Sequence, residues 1–205
     1  MNENTLIKIV IGFLVLLALG IYLNQKYEWL GHQPANYEYV NGKQAFTVTR
    51  VNEGNYLGYQ ITVFLNDNPY YLSIRNDPRD LESIPITGSP QKTMSYAKRV
   101  FITLSPEDNL TSKATIAALE IDKIIDNPYF YNLPVNSSMT SPFGNFPVIS
   151  CSNATEDNAV IWLKKGASTQ ITETNNCIIV EGEDEDDLIK AADRLSLFLV
   201  GIMQR

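Results

Sequence analysis

Apolar and polar positions alternate along three stretches in the first half of the chain. Phe46 and Val48 alternate with Thr47 and Thr49. Tyr59, Ile61, Val63 and Leu65 alternate with Gln60, Thr62 and Phe64, and Tyr70, Leu72 and Ile74 with Tyr71 and Ser73. A period of two with one apolar face predicts half-buried strands. Asn52-Glu53-Gly54-Asn55 and Asn66-Asp67-Asn68-Pro69 carry the residue types that turn a chain between strands. The expected product is an antiparallel meander beginning at Gln44, with one face on the core.

The second half is patterned differently. Arg99–Leu104 (RVFITL), Ala159–Lys164 (AVIWLK) and Cys177–Val180 (CIIV) are short and rich in β-branched residues, as buried strands are. Pro147 to Ser150 leads into a strand expected to end at Cys151, and Gln170–Thr174 is expected to pair before the final strand. Ile116, Ala117, Leu119, Ile121, Ile124 and Ile125 recur at helical spacing. They predict a helix from Lys113 to Ile125, capped by Thr111 or Ser112 and stopped by Asp126-Asn127-Pro128. Leu188, Ala191, Ala192, Leu195, Phe198, Leu199 and Ile202 predict a closing helix with one wide apolar face, and Gly201 is suited to a left-handed C-cap. Residues 84–95, 105–110 and 129–146 read as loops. The fold class is therefore α+β: a meander, then a mixed-sheet α/β half with two helices.

The N-terminus changes the picture. Leu6–Leu23 is an 18-residue apolar run interrupted only by Lys8, followed by Tyr22, Tyr27 and Trp29, side chains suited to a water–lipid interface. A transmembrane signal-anchor is expected over 6–23. The competing form is a signal peptide cleaved after Gly20, where Ala18-Leu19-Gly20 gives the small-x-small pattern. The expected organisation is a tail at 1–5, the anchor at 6–23, a juxtamembrane spacer at 24–43 and an extracytoplasmic α+β domain at 44–205. Flanking charge hardly separates the two orientations.

Composition narrows the chemistry. The net charge of −7 argues against a nucleic-acid partner, which would need a basic face. The chain has one histidine, His32, beside the apolar run, so a Ser-His-Asp triad, a Cys-His dyad in the domain and a multi-His zinc site are all excluded. No phosphate loop, G-x-S-x-G elbow or S-x-x-K is present. No cofactor and no catalytic residue is assigned.

Five carboxylates in a row, Glu183 to Asp187, precede the closing helix. They lack the spaced ligands and central glycine of a calcium loop, so the expected role is to complement the helix dipole. Arg75 and Arg79, in RNDPRD, are candidates for gripping an anionic ligand. The alternative is a turn whose arginines pair with Asp77, Asp80 and Glu82. Glu120 is a candidate buried acid, although helical spacing allows it a wet face.

Cys151 and Cys177 lie at strand margins in a chain otherwise free of cysteine. A disulfide between them would close a loop of 27 residues, Cys151 to Cys177 inclusive, and would require an oxidising compartment. The alternative is two buried thiols. Asn109, Asn136 and Asn153 begin N-glycosylation sequons, of which roughly two or three arise by chance in such a composition.

Cys151-Ser-Asn-Ala-Thr155, CIIVEG (Cys177 to Gly182) and DLIKAADRLSLFLVGI (Asp187 to Ile202) resemble the ending of uncharacterised membrane-anchored archaeal proteins. Fainter echoes lie at RNDPRDLE (Arg75 to Glu82) and SKATIAALEI (Ser112 to Ile121). The resemblance implies an anchor and an extracytoplasmic domain, and carries over no catalytic residue. The expected function is that of a non-catalytic envelope or surface protein, bound to the membrane through 6–23 and joined to another envelope protein or to itself. A carboxylate-dependent hydrolase or transferase using Glu120 or the 183–187 block is the alternative.

Overall fold

Two left-handed pairs, Asn-Asp and Asn-Asn, set the hairpins. Asn66 and Asp67 (φ 51° and 65°) join β3 (Tyr56–Leu65) to β4 (Asn68–Ile74), and Asn175 and Asn176 (φ 52° and 63°) join β9 (Gln170–Thr174) to β10 (Cys177–Gly182). Two positive-φ residues in succession twist the turn with the strands, and Asn and Asp tolerate that conformation best after glycine. The computed structural model describes residues 15–21, 36–53 and 56–204. Residues 15–21 are helical; the rest of the expected anchor at 6–23 and most of the spacer lie outside the described residues. No helix among the described residues is long and apolar enough to cross a membrane.

The first unit of the chain is Met1–Tyr37 and the second Glu38–Arg205. The second holds two sheets. The antiparallel one has the order β1-β2-β3-β4, with β1 at Asn36–Asn41 and β2 at Gln44–Glu53. Its inner face carries Val48, Ile61, Leu72 and Ile74, all essentially inaccessible. The meander thus has four strands where alternation predicted three, because β1 lies in the stretch read as spacer.

The six-stranded sheet has the order β5-β9-β10-β8-β6-β7, where β5 is Ile86–Thr87, β6 Arg99–Leu104, β7 Val135–Met139 and β8 Asn158–Lys165. β10, β8, β6 and β7 run parallel, and β9 is antiparallel to β10. One face of this sheet carries Val100, Ile102, Ala159, Ile161, Leu163, Ile171, Ile178 and Val180, which are buried. A continuously apolar face needs a helical cover. It is provided by α3 (Ser112–Ile125) and α4 (Glu185–Leu199), which pack on each other and on the strands.

α1 (Pro78–Leu81) and α2 (Pro90–Tyr96) are short helices, each with proline in its first turn. α2 lies inside a stretch read as loop. β5 and β7 also lie in the stretches 84–95 and 129–146 expected as loop, and Cys151, expected to end a strand, opens a 3-10 turn at Cys151–Asn153.

α4 is the centre of the domain. The prediction gave it one apolar face; instead every residue from Leu188 to Leu199 is buried except Lys190. A helix wetted on neither side is enclosed by several elements, and hydrogen bonds mark them. Gln91 Nε2 of α2 donates to Phe198 O at 2.7 Å, Asn41 Nδ2 at the end of β1 to Ile202 O at 2.8 Å, and Arg194 Nε to Ile84 O at 3.2 Å. Each fully buried leucine, isoleucine or phenylalanine contributes about 1.5–3 kcal/mol. The apolar remainder of α4 therefore offsets the cost of enclosing Asp193, Arg194 and Ser196.

Candidate functional site

Glu120 is 7% exposed and Leu119 beside it 57% exposed. The predicted helical face is therefore turned by about one position, and the acid points inward. Its Oε1 accepts from Arg75 Nε at 3.1 Å, and its Oε2 accepts from Lys123 Nζ, which also donates to Ser73 O. The Ser196 hydroxyl of α4 donates to the main-chain oxygen of Glu120 at 2.8 Å.

Asp193 faces Glu120 from α4 and is fully buried. Its Oδ2 accepts from the main-chain N–H of Arg75 at 3.2 Å, from that of Asn76 at 2.9 Å, and from Asn76 Nδ2 at 2.8 Å. Burial first, and the Glu120 charge second, push its pKa up to about 7. Two acids, two bases and an amide thus tie the end of β4 to both covering helices. Periodicity alone hid Asp193. The available signal was the Asp193-Arg194 pair, two charges set among the apolar residues of a helix.

This arrangement can hold a proton. General acid–base chemistry needs the acid within hydrogen-bonding reach of substrate. Five surface clefts, of about 170 to 450 Å³, have neither Glu120 nor Asp193 in their walls.

The 183–187 block serves the helix termini. The Asp184 carboxylate caps α4 by accepting from Asp187 N at 2.9 Å. Glu185 reaches the neighbouring helix start, its carboxylate accepting from Thr111 N at 2.5 Å and from Thr111 Oγ1 at 2.8 Å, and Asp186 pairs with Lys113 at 2.7 Å. Among the described residues, no three His, Cys, Asp or Glu side chains stand close enough to share a metal ion. Glu185→Ala removes two acceptors from the start of α3 and is expected to lower stability by about 1–2 kcal/mol, read as a shift of the urea midpoint with an unchanged m-value.

Both candidate arginines meet carboxylates. Arg75 is paired with Glu120, and Arg79 holds Asp77 through Nε at 3.0 Å and through a terminal guanidinium nitrogen at 2.6 Å. The Arg79 pair is the local turn arrangement that the sequence offered as the alternative. Cys151 and Cys177 form a disulfide, with Cα atoms 5.3 Å apart. Asn109, Asn136 and Asn153 are exposed.

A surface feature escaped the sequence reading. The β3–β4 hairpin ends in a cleft of about 440 Å³ walled by Leu65, Asn66, Asn68, Pro69, Tyr70 and Tyr129. Tyr70 packs edge-on against Phe130 at 5.3 Å and tilted against Tyr129 at 5.6 Å. Phe64 is 70%, Tyr129 67% and Tyr71 57% exposed. Tyr70, Tyr129 and Phe130 gather at the cleft, which alternation and a loop reading do not show, whereas Phe64 and Tyr71 stand on the opposite face of the sheet from Tyr70.

Comparison with family models, curated proteins and solved structures gives no match to this chain.

Proposed function

We propose that this chain is a non-catalytic, membrane-anchored module of the cell envelope that joins another envelope component, or a further copy of itself, through the aromatic tip of its antiparallel sheet. The observation that carries this reading is the exposure of Tyr129 in the wall of the Tyr70 cleft. Large rings left in water at one place are the usual anchors of protein interfaces, since they contribute much contact area with few rotatable bonds. The apolar run at 6–23 supports the anchor. The Cys151–Cys177 disulfide supports an oxidising compartment, and hence a domain outside the cytoplasm.

The test is a photoreactive phenylalanine analogue placed at Tyr129 of the full chain in its native membrane, with Asp157, another exposed position, as control. The expected result is a strong adduct from position 129. An adduct at twice the chain's 23.0 kDa identifies self-assembly, and any other mass identifies a partner. Labelling at 129 no stronger than at 157 would end the reading. Tyr129→Ser should abolish the adduct from a probe at Asn68 in the opposite wall of the cleft, with stability changed by only about 0.5 kcal/mol at this exposed site.

A carboxylate-dependent hydrolase or transferase is the second reading, favoured by the burial of Glu120 beside Asp193. It requires a substrate path to that pair, and none of the five clefts is walled by Glu120 or Asp193.

A further inference from the structure

We propose that Glu120 and Asp193 share one proton, and that this proton latches the end of β4 to α3, so that the latch closes in mildly acidic surroundings and loosens above neutrality. The geometry carries the first half. Asp193 Oδ2 is saturated by three N–H donors, whereas Oδ1 is buried and meets no donor. The Glu120 carboxyl is the charged group that acts most strongly on Asp193, and as an anion it can only accept. A buried polar atom without a partner is rare and costly. A proton on Asp193 Oδ1, donated to Glu120, removes the vacancy and the repulsion together.

The surroundings define what titrates. From α3, Glu120 and Lys123 act on Asp193, and from the end of β4, Arg75 and Asn76. On α1, Asp77 and Arg79 bind each other. The strands beneath α4 present Ile161, Ile171, Ile178 and Val180, and α2 reaches α4 through the uncharged Gln91. On α4 itself, Arg194 is turned to Ile84 O and Gln204 O.

When the proton leaves, two carboxylates face each other in a poorly solvated seam. Glu120 is the one with a route out: its partners Arg75 and Lys123 have side chains 37% and 31% exposed. Its departure breaks the Arg75 pair, which loosens β4 from α3 and leaves the Lys123 bond to Ser73 O as the remaining tie. Asp193 keeps its three donors, so β4 stays on α4.

The sign follows from linkage. The folded pKa of Asp193 is raised above its ordinary value of 3.8, so its contribution to stability is complete below about 4 and is lost as pH rises through about 7. Asp122, raised by burial and by Asp126, acts in the same direction. Glu107, Asp184 and Glu185 are lowered, so their contributions are lost only as pH falls below the ordinary carboxylate range. Among the described residues, the window between about 5 and 7 therefore belongs to Asp193.

The experiment is urea unfolding of the full chain at half-unit steps from pH 5 to 8, on wild type, Asp193→Asn and Glu120→Gln. An asparagine keeps the acceptor for Arg75 and Asn76 and offers Glu120 a permanent donor, and Glu120→Gln offers the donor from the other side. The wild-type unfolding constant should rise by up to about tenfold per pH unit approaching 7, and both variants should be much flatter. Equal slopes in all three proteins would overturn the latch. Carbon-13 carboxyl NMR of the folded wild type tests the shared proton separately. One of the two carboxyls should titrate near neutrality, and titration of both below about pH 5 would overturn it.

Discussion

Gly182→Ala is expected to cost the fold about 3 kcal/mol or more, the upper part of the range for overpacking a tight site. A methyl group at this position would lie 2.3 Å from Leu188 N, 2.6 Å from Asp184 O and 2.7 Å from Leu188 Cα. All three are main-chain atoms of the first turn of α4. They cannot swing aside as a side chain can, and Leu188 N and Asp184 O are the two ends of a helical hydrogen bond of 2.9 Å. The added carbon would have to push the helix off the strand or break that bond. Because α4 is buried almost all round, a shift at its start is felt by both sheets. Gly166→Ala is the matching control. Its methyl would meet the end of the Glu181 side chain, with Oε1 at 2.9 Å, and that carboxylate can move. The control should lose less than about 1 kcal/mol. Urea unfolding of the two variants side by side gives the comparison. Equal, small losses would mean that the β10–α4 junction yields more readily than a main-chain contact should.

What the sequence could reveal depended on whether a residue's partners were local. Cys177–Val180 and the spacing from Leu188 to Ile202 announced β10 and α4, since burial against one apolar neighbour leaves a periodic trace. RVFITL and AVIWLK gave β6 and β8 for the same reason, and Gln170–Thr174 paired with β10 as expected. Glu120 was legible as a candidate buried acid, but its partners were not, because they come from elsewhere: Arg75 is 45 positions away, and Asp193 reaches it from another helix. A polar residue gathered by distant groups leaves no period.

β1 and β7 were missed for a different reason. NYEYVN and VNSSM are edge strands, paired on one side only, with too few apolar residues to alternate cleanly. The aromatic tip failed on a third ground. Tyr70 and Tyr129 belong to a hairpin and to the segment after α3, and only the packing of that segment against β4 brings the rings together.

Removing the disulfide tests stability and compartment with one pair of variants. Cys151 and Cys177 are 26 positions apart, and a cross-link over such a loop stabilises by roughly 3 kcal/mol through the unfolded chain it restrains. For a domain of this size that corresponds to a fall in Tm of about 6–12 °C. Cys177→Ala with Cys151→Ala is the cleaner form, because Cys177 is buried at the start of β10 and a serine there would bring in a buried hydroxyl. The loss should not depend on pH, in contrast to that of Asp193, since neither sulfur titrates. It should also be uneven along the chain. Met139 N and O bond Pro147 O and Ile149 N, and Thr103 Oγ1 donates to Ile149 O at 2.8 Å, so residues 147–149 keep their hold on the sheet without the bridge. The 3-10 turn at Cys151–Asn153 has the bridge as its tie to β10 and should gain hydrogen exchange first. Intact mass of the native protein, before and after reduction and alkylation under denaturing conditions, establishes whether the bond is present where the protein works. Blocked, reducible cysteines would agree with a domain facing an oxidising space. Free thiols in the native protein would remove the main support for that placement and make a cytoplasm-facing domain the better account, while leaving the contacts of the aromatic tip as they are.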